Sequence, residues 1–182
     1  AFAVASAFSI TMTEACAVLG DYEAPAGRGR LLVGKNGSTI IDDSYNASPA
    51  AVEEALSTLK AFPMHADGRR IAVLGDMLEL GRFSVAEHER IAVLAGESAA
   101  VIVTVGIRAR AFAAAPRGAR VIQFDTARAA AAELQNFVRE GDVILVKGSQ
   151  SIRTERIVEA LLADPADVSK LVRQEKKWKE KI

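Results

Sequence analysis

Cysteine is nearly absent from this 182-residue chain, and Cys16 is its only copy. One thiol excludes an internal disulfide and any metal cluster built from several cysteines, and it is typical of proteins in a reducing compartment. We therefore expect a cytoplasmic protein.

Net charge is also lacking. The 23 basic and 23 acidic side chains cancel, so no overall field attracts nucleic acid or an anionic membrane surface. The apolar stretch AFAVASAFSITM lacks a basic segment, and Thr11, Thr13 and Glu14 interrupt it well short of a membrane span. We expect no nucleic-acid partner and no membrane insertion, and we interpret residues 1–20 as a buried apolar helix.

Familiar nucleotide and metal motifs are missing as well. GRLLVGKN, residues 29–36, follows the phosphate-loop pattern until Asn36, which stands where the magnesium-binding hydroxyl belongs. No G-x-G-x-x-G follows a predicted strand, so ordinary dinucleotide binding is unsupported. His65 and His88 have no second ligand at metal spacing, and we expect both at the surface or at helix caps. The sequence predicts no metal site.

What the sequence does contain is a regular alternation of short apolar runs with Ala/Glu/Arg-rich amphipathic stretches. The runs are TIIDD (39–43), RIAVLGD (70–76), AVIVTVG (100–106), ARVIQF (119–124) and DVILVKGS (142–149). Apolar strands separated by helices indicate a parallel sheet covered on both faces. The predicted fold is α/β, a Rossmann-like, doubly wound and mostly parallel sheet.

Local signals refine this prediction. Asn36-Gly37 is a two-residue hairpin signal, so residues 31–34 are expected to form one antiparallel edge strand. Ser48 is a good N-cap with Pro49 after it, which predicts a helix ending near Phe62. Asp125 is expected to cap a further helix over residues 126–139.

Polar residues gather where the predicted strands end, which is where doubly wound sheets bind ligands. Each could instead cap a helix or tie a turn, but three such clusters on one edge favour a site. Asp42 and Asp43 should point to opposite faces of their strand, so at most one faces a given ligand. The clusters contain Asp42, Asp43, Tyr45 and Asn46; Asp76 and Glu79; and Lys147, Ser149 and Gln150.

Three of these segments carry a family resemblance. DDSYNASP (42–49), LGDMLELG (74–81) and LVKGS (145–149), in this order and at these intervals, resemble the C-terminal domain of the MurF-type Mur ligases. Members of this family use ATP to phosphorylate a carboxylate of UDP-N-acetylmuramoyl-tripeptide, and the amine of D-alanyl-D-alanine then attacks the acyl phosphate. Their C-terminal domain closes over the nucleotide and brings in the dipeptide.

The resemblance implies roles for individual residues. Arg28 is similar to an arginine that reaches the ATP phosphates, Asp43 to the acid that accepts from the ribose hydroxyls, and Asn46 to a residue near adenine. Substrate contacts are implied for Asp76, Lys147 and Ser149, while no catalytic residue is assigned. Two positions depart from the family pattern, which has Asn at Ser48 and Arg at Gln150.

The resemblance also implies a domain division. Residues 1–25 look like the end of the family's central ATPase domain with its hinge, and 26–163 look like the C-terminal domain. Residues 164–182 lie outside the recognised motifs, and their mixed charges favour a solvated helix that docks through Leu171, Val172 and Trp178 over a nucleic-acid tail. ATP and magnesium would be bound mainly by the central domain, so this piece alone is expected to be inactive. Residues 1–20 would then either self-associate or fold back on the sheet.

Two other interpretations compete with this one. A free-standing Rossmann-like module that binds a nucleotide or metabolite would explain the fold without catalysis. Another Mur-type ligase, or a folylpolyglutamate-like ligase, would share the architecture, but its loop after the second parallel strand would not be expected to read LGDMLELG.

Overall fold

A computed structural model describes residues 2–65, 67–114 and 118–179. Its strands are β1 (Arg30–Val33), β2 (Thr39–Asp43), β3 (Arg70–Gly75), β4 (Val101–Val105), β5 (Arg120–Phe124) and β6 (Val143–Lys147). They form one sheet in the order β1-β2-β6-β3-β4-β5. Only β1 runs antiparallel to its neighbour, β2. The predicted α/β fold with one antiparallel edge strand is confirmed.

Helices cover both faces of the sheet. They are α1 (Phe2–Ala7), α2 (Met12–Gly20), α3 (Pro49–Ala61), α4 (Ser84–Ser98), α5 (Ala127–Phe137), α6 (Glu155–Leu161) and α7 (Lys176–Lys179). α3 and α4 pack on one face and α5 and α6 on the other, each over its own apolar cluster. The described residues between β4 and β5 include a 3₁₀ segment, Arg108–Ala114. No helix of the described residues is long and apolar enough to cross a bilayer.

The antiparallel strand predicted before β2 and the helix start predicted after it are confirmed, but the connection between β1 and β2 is longer than the predicted two-residue turn. Val33 pairs with Thr39, so residues 34–38 lie between the strands. Within this connection Asn36 and Gly37 both adopt left-handed φ angles, 56° and 72°. At the other end of β2, the Ser48 side chain accepts from the Ala51 amide and Pro49 opens α3. The connection before β2 and the helix start after it therefore set the limits of β2 and of the loop that follows it.

The predicted cap of α5 is wrong by one residue. Thr126 is extended, with φ −136° and ψ 152°, and its side chain accepts from the Ala129 amide, whereas Asp125 accepts from Arg110. The helix also stops earlier than predicted, because the Arg139 amide donates to Asp142 at 3.0 Å instead of continuing the helical ladder.

Residues 2–20 differ from the predicted single buried helix. The chain breaks between α1 and α2, and Thr11 and Glu14 form a capping box that starts α2. Within these two helices only Ala15 is buried, while Phe8 and Val18 are 75% and 74% exposed. The sequence pattern predicted that these residues form an apolar surface. It did not predict that this surface would be exposed in the described structure.

Residues 164–182 do not form the predicted continuous charged helix. A 3₁₀ segment spans Pro165–Lys170, a four-residue helix spans Lys176–Lys179, and residues 180–182 lie outside the described part. The chain turns between these segments at Arg173, whose φ of 60° is left-handed and therefore interrupts a helix. Leu171 is buried against the sheet domain, as predicted, and Arg173 is buried beside it.

Candidate functional site

The carboxyl ends of β2, β3 and β6 meet at one edge of the sheet, because these strands are parallel neighbours. Here Gly75 and Gly148 pass so close that a Cβ on either would come within 3.2 Å of the other's Cα. A cleft of about 660 Å³ opens beyond these strand ends. It is lined by Asn46, Ala47, Ser48, Leu78, Glu79, Leu80, Ser149, Gln150, Ser151, Arg153 and Trp178.

Asp43 and Lys147 form an ion pair beside this cleft. They are register partners on β2 and β6, so their side chains project on the same face of the sheet. Lys147 Nζ donates to Asp43 Oδ2 at 2.6 Å and to the Asn46 carbonyl at 3.0 Å. The lysine side chain is 3% exposed and the aspartate side chain 19%. Lys147 therefore orients the carboxylate and the loop after it.

Three polar groups of this region remain available for a ligand. Asp43 Oδ1 and the side-chain amide of Asn46 make no hydrogen bond within the described residues, and the Arg28 guanidinium makes neither a hydrogen bond nor an ion pair there. Arg28 lies over the Tyr45 ring at 4.1 Å, and Tyr45 directly precedes Asn46. A carboxylate oxygen and an amide at the end of β2, and a cation from the segment before β1, thus have unsatisfied hydrogen-bonding capacity within the described residues.

The neighbouring Asp42 is committed to the protein interior. Its Oδ1 accepts from the Ser44 hydroxyl at 2.6 Å and from the Ser44 amide at 3.2 Å, while Oδ2 accepts from the Gly27 amide at 3.2 Å. Burial raises the pKa of Asp42 above its ordinary value, although these hydrogen bonds oppose the shift. The two adjacent aspartates make separate contacts, as strand alternation predicts, and Asp42 ties the Gly27 segment to the end of β2.

Asp76 and Ser149 lie at the same sheet edge but use their polar atoms differently. The Ser149 hydroxyl accepts from the Leu78 amide at 2.9 Å in the cleft wall. The Asp76 carboxylate accepts from the Ala109 amide at 2.7 Å and lies 3.8 Å from Arg108. The structure therefore brings Ser149 to the cleft, whereas the side chain of Asp76 is directed to the loop after β4.

His88 was expected at the surface or at a helix cap, and that expectation is wrong. The ring is fully buried and its Nδ1 lies 2.7 Å from the Ser84 carbonyl, while Nε2 accepts from the Met77 amide at 3.0 Å. Because a carbonyl can only accept, Nδ1 carries the proton. His88 thus fixes the loop after β3, which forms one wall of the cleft. Its spacing from Ile91 and Ala95 on α4 was the signal that it belongs to the buried face.

A buried charge cluster lies next to the cleft, and no sequence pattern predicted it. Glu155 is 1% exposed and pairs with both Arg153 and Arg173, which are each 7% exposed. Arg153 also donates to the Trp178 carbonyl at 2.7 Å. These contacts hold residues 171–179 against the mouth of the cleft. Among the described residues no group of three or more His, Cys, Asp or Glu side chains could hold a metal ion.

Comparison with known proteins matches this chain to the same family that its sequence motifs resemble. The family described as "Mur ligase, glutamate ligase domain" matches residues 27–150. A UDP-N-acetylmuramoyl-tripeptide–D-alanyl-D-alanine ligase of Mycobacterium tuberculosis is 36% identical over 77% of this chain and 32% of its own length. The Bacillus subtilis ligase of the same name is 30% identical over 91% of this chain and 37% of its own length.

Solved structures agree with the sequence relatives. A MurF ligase from Thermotoga maritima, in complex with ADP, aligns with a TM-score of 0.69 and 28% identity over 87% of this chain and 35% of that one. MurF from Acinetobacter baumannii aligns with a TM-score of 0.67 and 26% identity over 92% of this chain and 35% of that one. The chain thus spans about a third of the length of the relatives it matches.

Proposed function

Because this chain belongs to the Mur ligase family, as a C-terminal domain of the MurF type, we propose that it serves a complete ligase as the domain that closes over the nucleotide. That ligase joins D-alanyl-D-alanine to UDP-N-acetylmuramoyl-tripeptide in the cytoplasm, with ATP converted to ADP and phosphate. The observation that carries the proposal is that the Arg28 guanidinium, Asp43 Oδ1 and the Asn46 side-chain amide make no hydrogen bond within the described residues. Bound ADP in the Thermotoga maritima relative supports it.

The three groups fit three parts of a nucleotide. Asp43 Oδ1 is free to accept from ribose hydroxyls, and charge-assisted hydrogen bonds of this kind are the strong ones. The Arg28 guanidinium stacks on Tyr45, with its carbon 4.1 Å from the ring centroid. The stacked guanidinium would present a planar cation to phosphate oxygens. The Asn46 amide, one residue further on, can both donate to and accept from the edge of a base. Together these groups would bind and orient a nucleotide from one side.

We also propose the substrate contacts. Ser149 and the neighbouring Gln150 line the cleft, and we assign them to the side from which the dipeptide enters. Lys147 donates to Asp43, and Asp76 accepts from the Ala109 amide. These two residues would therefore influence the substrate through the loops they hold, even though the family resemblance implies substrate contacts for both.

The triphosphate and its metal require groups that this chain does not supply. The segment that resembles a phosphate loop, residues 29–36, forms β1 and its hairpin turn instead of joining a strand to a helix. We therefore propose that ATP and magnesium are held mainly by the central ATPase domain, of which residues 1–25 would be the end, joined to a C-terminal domain over 26–163 and a tail over 164–182. Magnesium, when bound, would neutralise charge on the transferred phosphoryl group.

An ADP titration of the isotope-labelled chain, followed by NMR, tests the nucleotide assignment. We expect shifts at the amides of Tyr45 and Asn46, and we expect Asp43→Asn to weaken ADP binding about fivefold, roughly 1 kcal/mol, because a neutral acceptor replaces a charged one. Asp125→Asn is the matched control, since Asp125 also follows a strand end but pairs with Arg110 in solvent. Equal ADP affinity in Asp43→Asn and wild type would contradict the assignment.

At position 43, asparagine is a better substitution than alanine for testing ADP binding. Lys147 is buried and Asp43 is its only carboxylate partner among the described residues. Removal of one partner of a buried pair leaves an uncompensated charge, at a cost of about 3–5 kcal/mol. Asparagine also removes the counter-charge of Lys147, but it retains an acceptor for the ammonium group, so it should cost less stability than alanine.

A further inference from the structure

Arg173 makes contacts that link the C-terminal segment to the loop after β2. Its guanidinium donates to Glu155 Oε2 at 3.0 Å and to the Ser44 carbonyl at 3.2 Å, and it also donates to the Tyr45 carbonyl. The side chain is 4% exposed. Arg173 lies well beyond residues 27–150, the part that matches the family. A residue from outside that part therefore reaches the loop that carries the proposed nucleotide groups.

This loop is held from two sides. On one side the Tyr45 amide donates to the Gly27 carbonyl at 3.1 Å, and the Gly27 amide donates to Asp42. On the other side Arg173 holds the carbonyls of Ser44 and Tyr45. Asp43 directly precedes this held segment and Asn46 directly follows it. Small changes in the backbone of Ser44 and Tyr45 would therefore redirect the side chains of both flanking residues.

The Tyr45 ring joins the same arrangement. It lies 4.1 Å from the Arg28 guanidinium and 5.7 Å from that of Arg173. Arg173 therefore holds the residue on which the proposed phosphate-binding cation stacks. Further along the segment, the Trp178 carbonyl accepts from Arg153 at 2.7 Å, and Trp178 lines the cleft beside Asn46.

We infer that Arg173 is a positioning residue for the nucleotide site, and that residues 171–179 are a working part of that site. Only a guanidinium presents several donors in a fixed plane, so one side chain can satisfy a carboxylate and two carbonyls at once. A lysine would keep the charge next to Glu155 but would have a single nitrogen for all three acceptors. The inference rests on the proposed nucleotide binding.

The test compares ADP affinity and melting temperature among variants of the full 182-residue chain. Arg173→Lys should weaken ADP binding about threefold to tenfold and shift the Tyr45 and Asn46 amides before ADP is added. Glu155→Gln removes the carboxylate but leaves Arg173 its two carbonyl acceptors, so it should lower the melting temperature and change ADP affinity less than about twofold. Lys170→Gln, just before this segment, removes an ion pair with Asp167 in which the lysine is exposed, and it should change neither.

The outcomes separate the inference from the function on which it rests. If wild type binds no ADP, the proposed nucleotide binding by this chain fails and the inference falls with it. If wild type binds ADP and Arg173→Lys binds it equally well, the inference alone is overturned. It is also overturned if Glu155→Gln and Arg173→Lys weaken binding to the same extent, because the effect would then follow the loss of stability and not the loss of the carbonyl contacts.

Discussion

At the scale of single residues, the strand-end polar groups divide by what they bind. Both carboxylate oxygens of Asp42 accept hydrogen bonds from Ser44 and Gly27. Asp43 accepts from Lys147 through Oδ2, and its Oδ1 makes no hydrogen bond within the described residues. Adjacent residues of a strand face opposite sides, so one carboxylate stabilises the fold and the other is available to a ligand. The same residue type thus serves two purposes at successive positions.

Asp42 predicts a pH dependence of stability. Its raised pKa means that the folded state binds the proton more readily than the unfolded state, so stability falls as pH rises from about 3.9 through the native pKa. The stability advantage of wild type over Asp42→Asn should therefore be largest at or below about pH 4 and shrink toward neutrality. Urea unfolding of both proteins across this range measures it, and an advantage that grows with pH would contradict the stated cause.

At the scale of elements, Gly27 joins the segment before β1 to the loop after β2. Its φ is 66°, and a Cβ would lie 3.0 Å from both the Tyr45 nitrogen and a Val172 methyl carbon. Gly29 has a similar φ of 73° but open space where a Cβ would go. A non-glycine residue would therefore be strained by its φ angle at both positions, but it would also clash with neighbouring atoms at Gly27.

Comparing alanine substitutions of these two glycines shows how much the close packing around Gly27 contributes to the free energy of unfolding. Gly29→Ala should cost about 1–2 kcal/mol, the penalty for a left-handed non-glycine residue. Gly27→Ala should cost more, by roughly 1–3 kcal/mol of overpacking, and should shift the Tyr45 amide. Chemical denaturation of both variants checks the difference. Equal losses would mean that Gly27 is required for its backbone angle alone.

Local patterns predicted the elements because strand and turn signals act over a few residues. The Asn36-Gly37 turn, the Ser48 cap and all five apolar runs occur where the sequence placed them. Contacts between distant residues were not predictable in this way. Arg173 meets the Tyr45 carbonyl from 128 residues away, and a sequence of mixed charges near the tail resembles an ordinary solvated helix. The ligand roles at the cleft came from family resemblance, since an aspartate at a strand end has no unique chemistry.

At the scale of the whole molecule, the exposed apolar surface of α1 and α2 is the main feature that the described residues leave uncovered. Apolar patches of this kind mark interaction sites. The exposed large side chains on these helices and on the residues between them are Phe2, Val4, Phe8, Ile10, Met12, Val18 and Leu19.

This surface predicts self-association of the chain. Phe8→Ser combined with Val18→Ser should reduce concentration-dependent association in sedimentation velocity, because both side chains are about three-quarters exposed and their burial between copies would be lost. Val85→Ser is the control, since Val85 is 66% exposed on α4. A wild-type chain that stays monomeric at every concentration would show that these helices do not associate.

The central claim is that this chain is the closing domain of a MurF-type ligase, and a phosphate-release assay tests it most directly. Residues 27–182 are fused behind the preceding domains of the Thermotoga maritima relative, and the fusion is assayed with ATP, magnesium, UDP-N-acetylmuramoyl-tripeptide and D-alanyl-D-alanine. We expect phosphate release that requires the dipeptide from the fusion, and none from the 182-residue chain alone, because the chain lacks a phosphate loop to clamp the transferred group. A folded, soluble fusion without turnover, or turnover by the chain alone, would contradict the account.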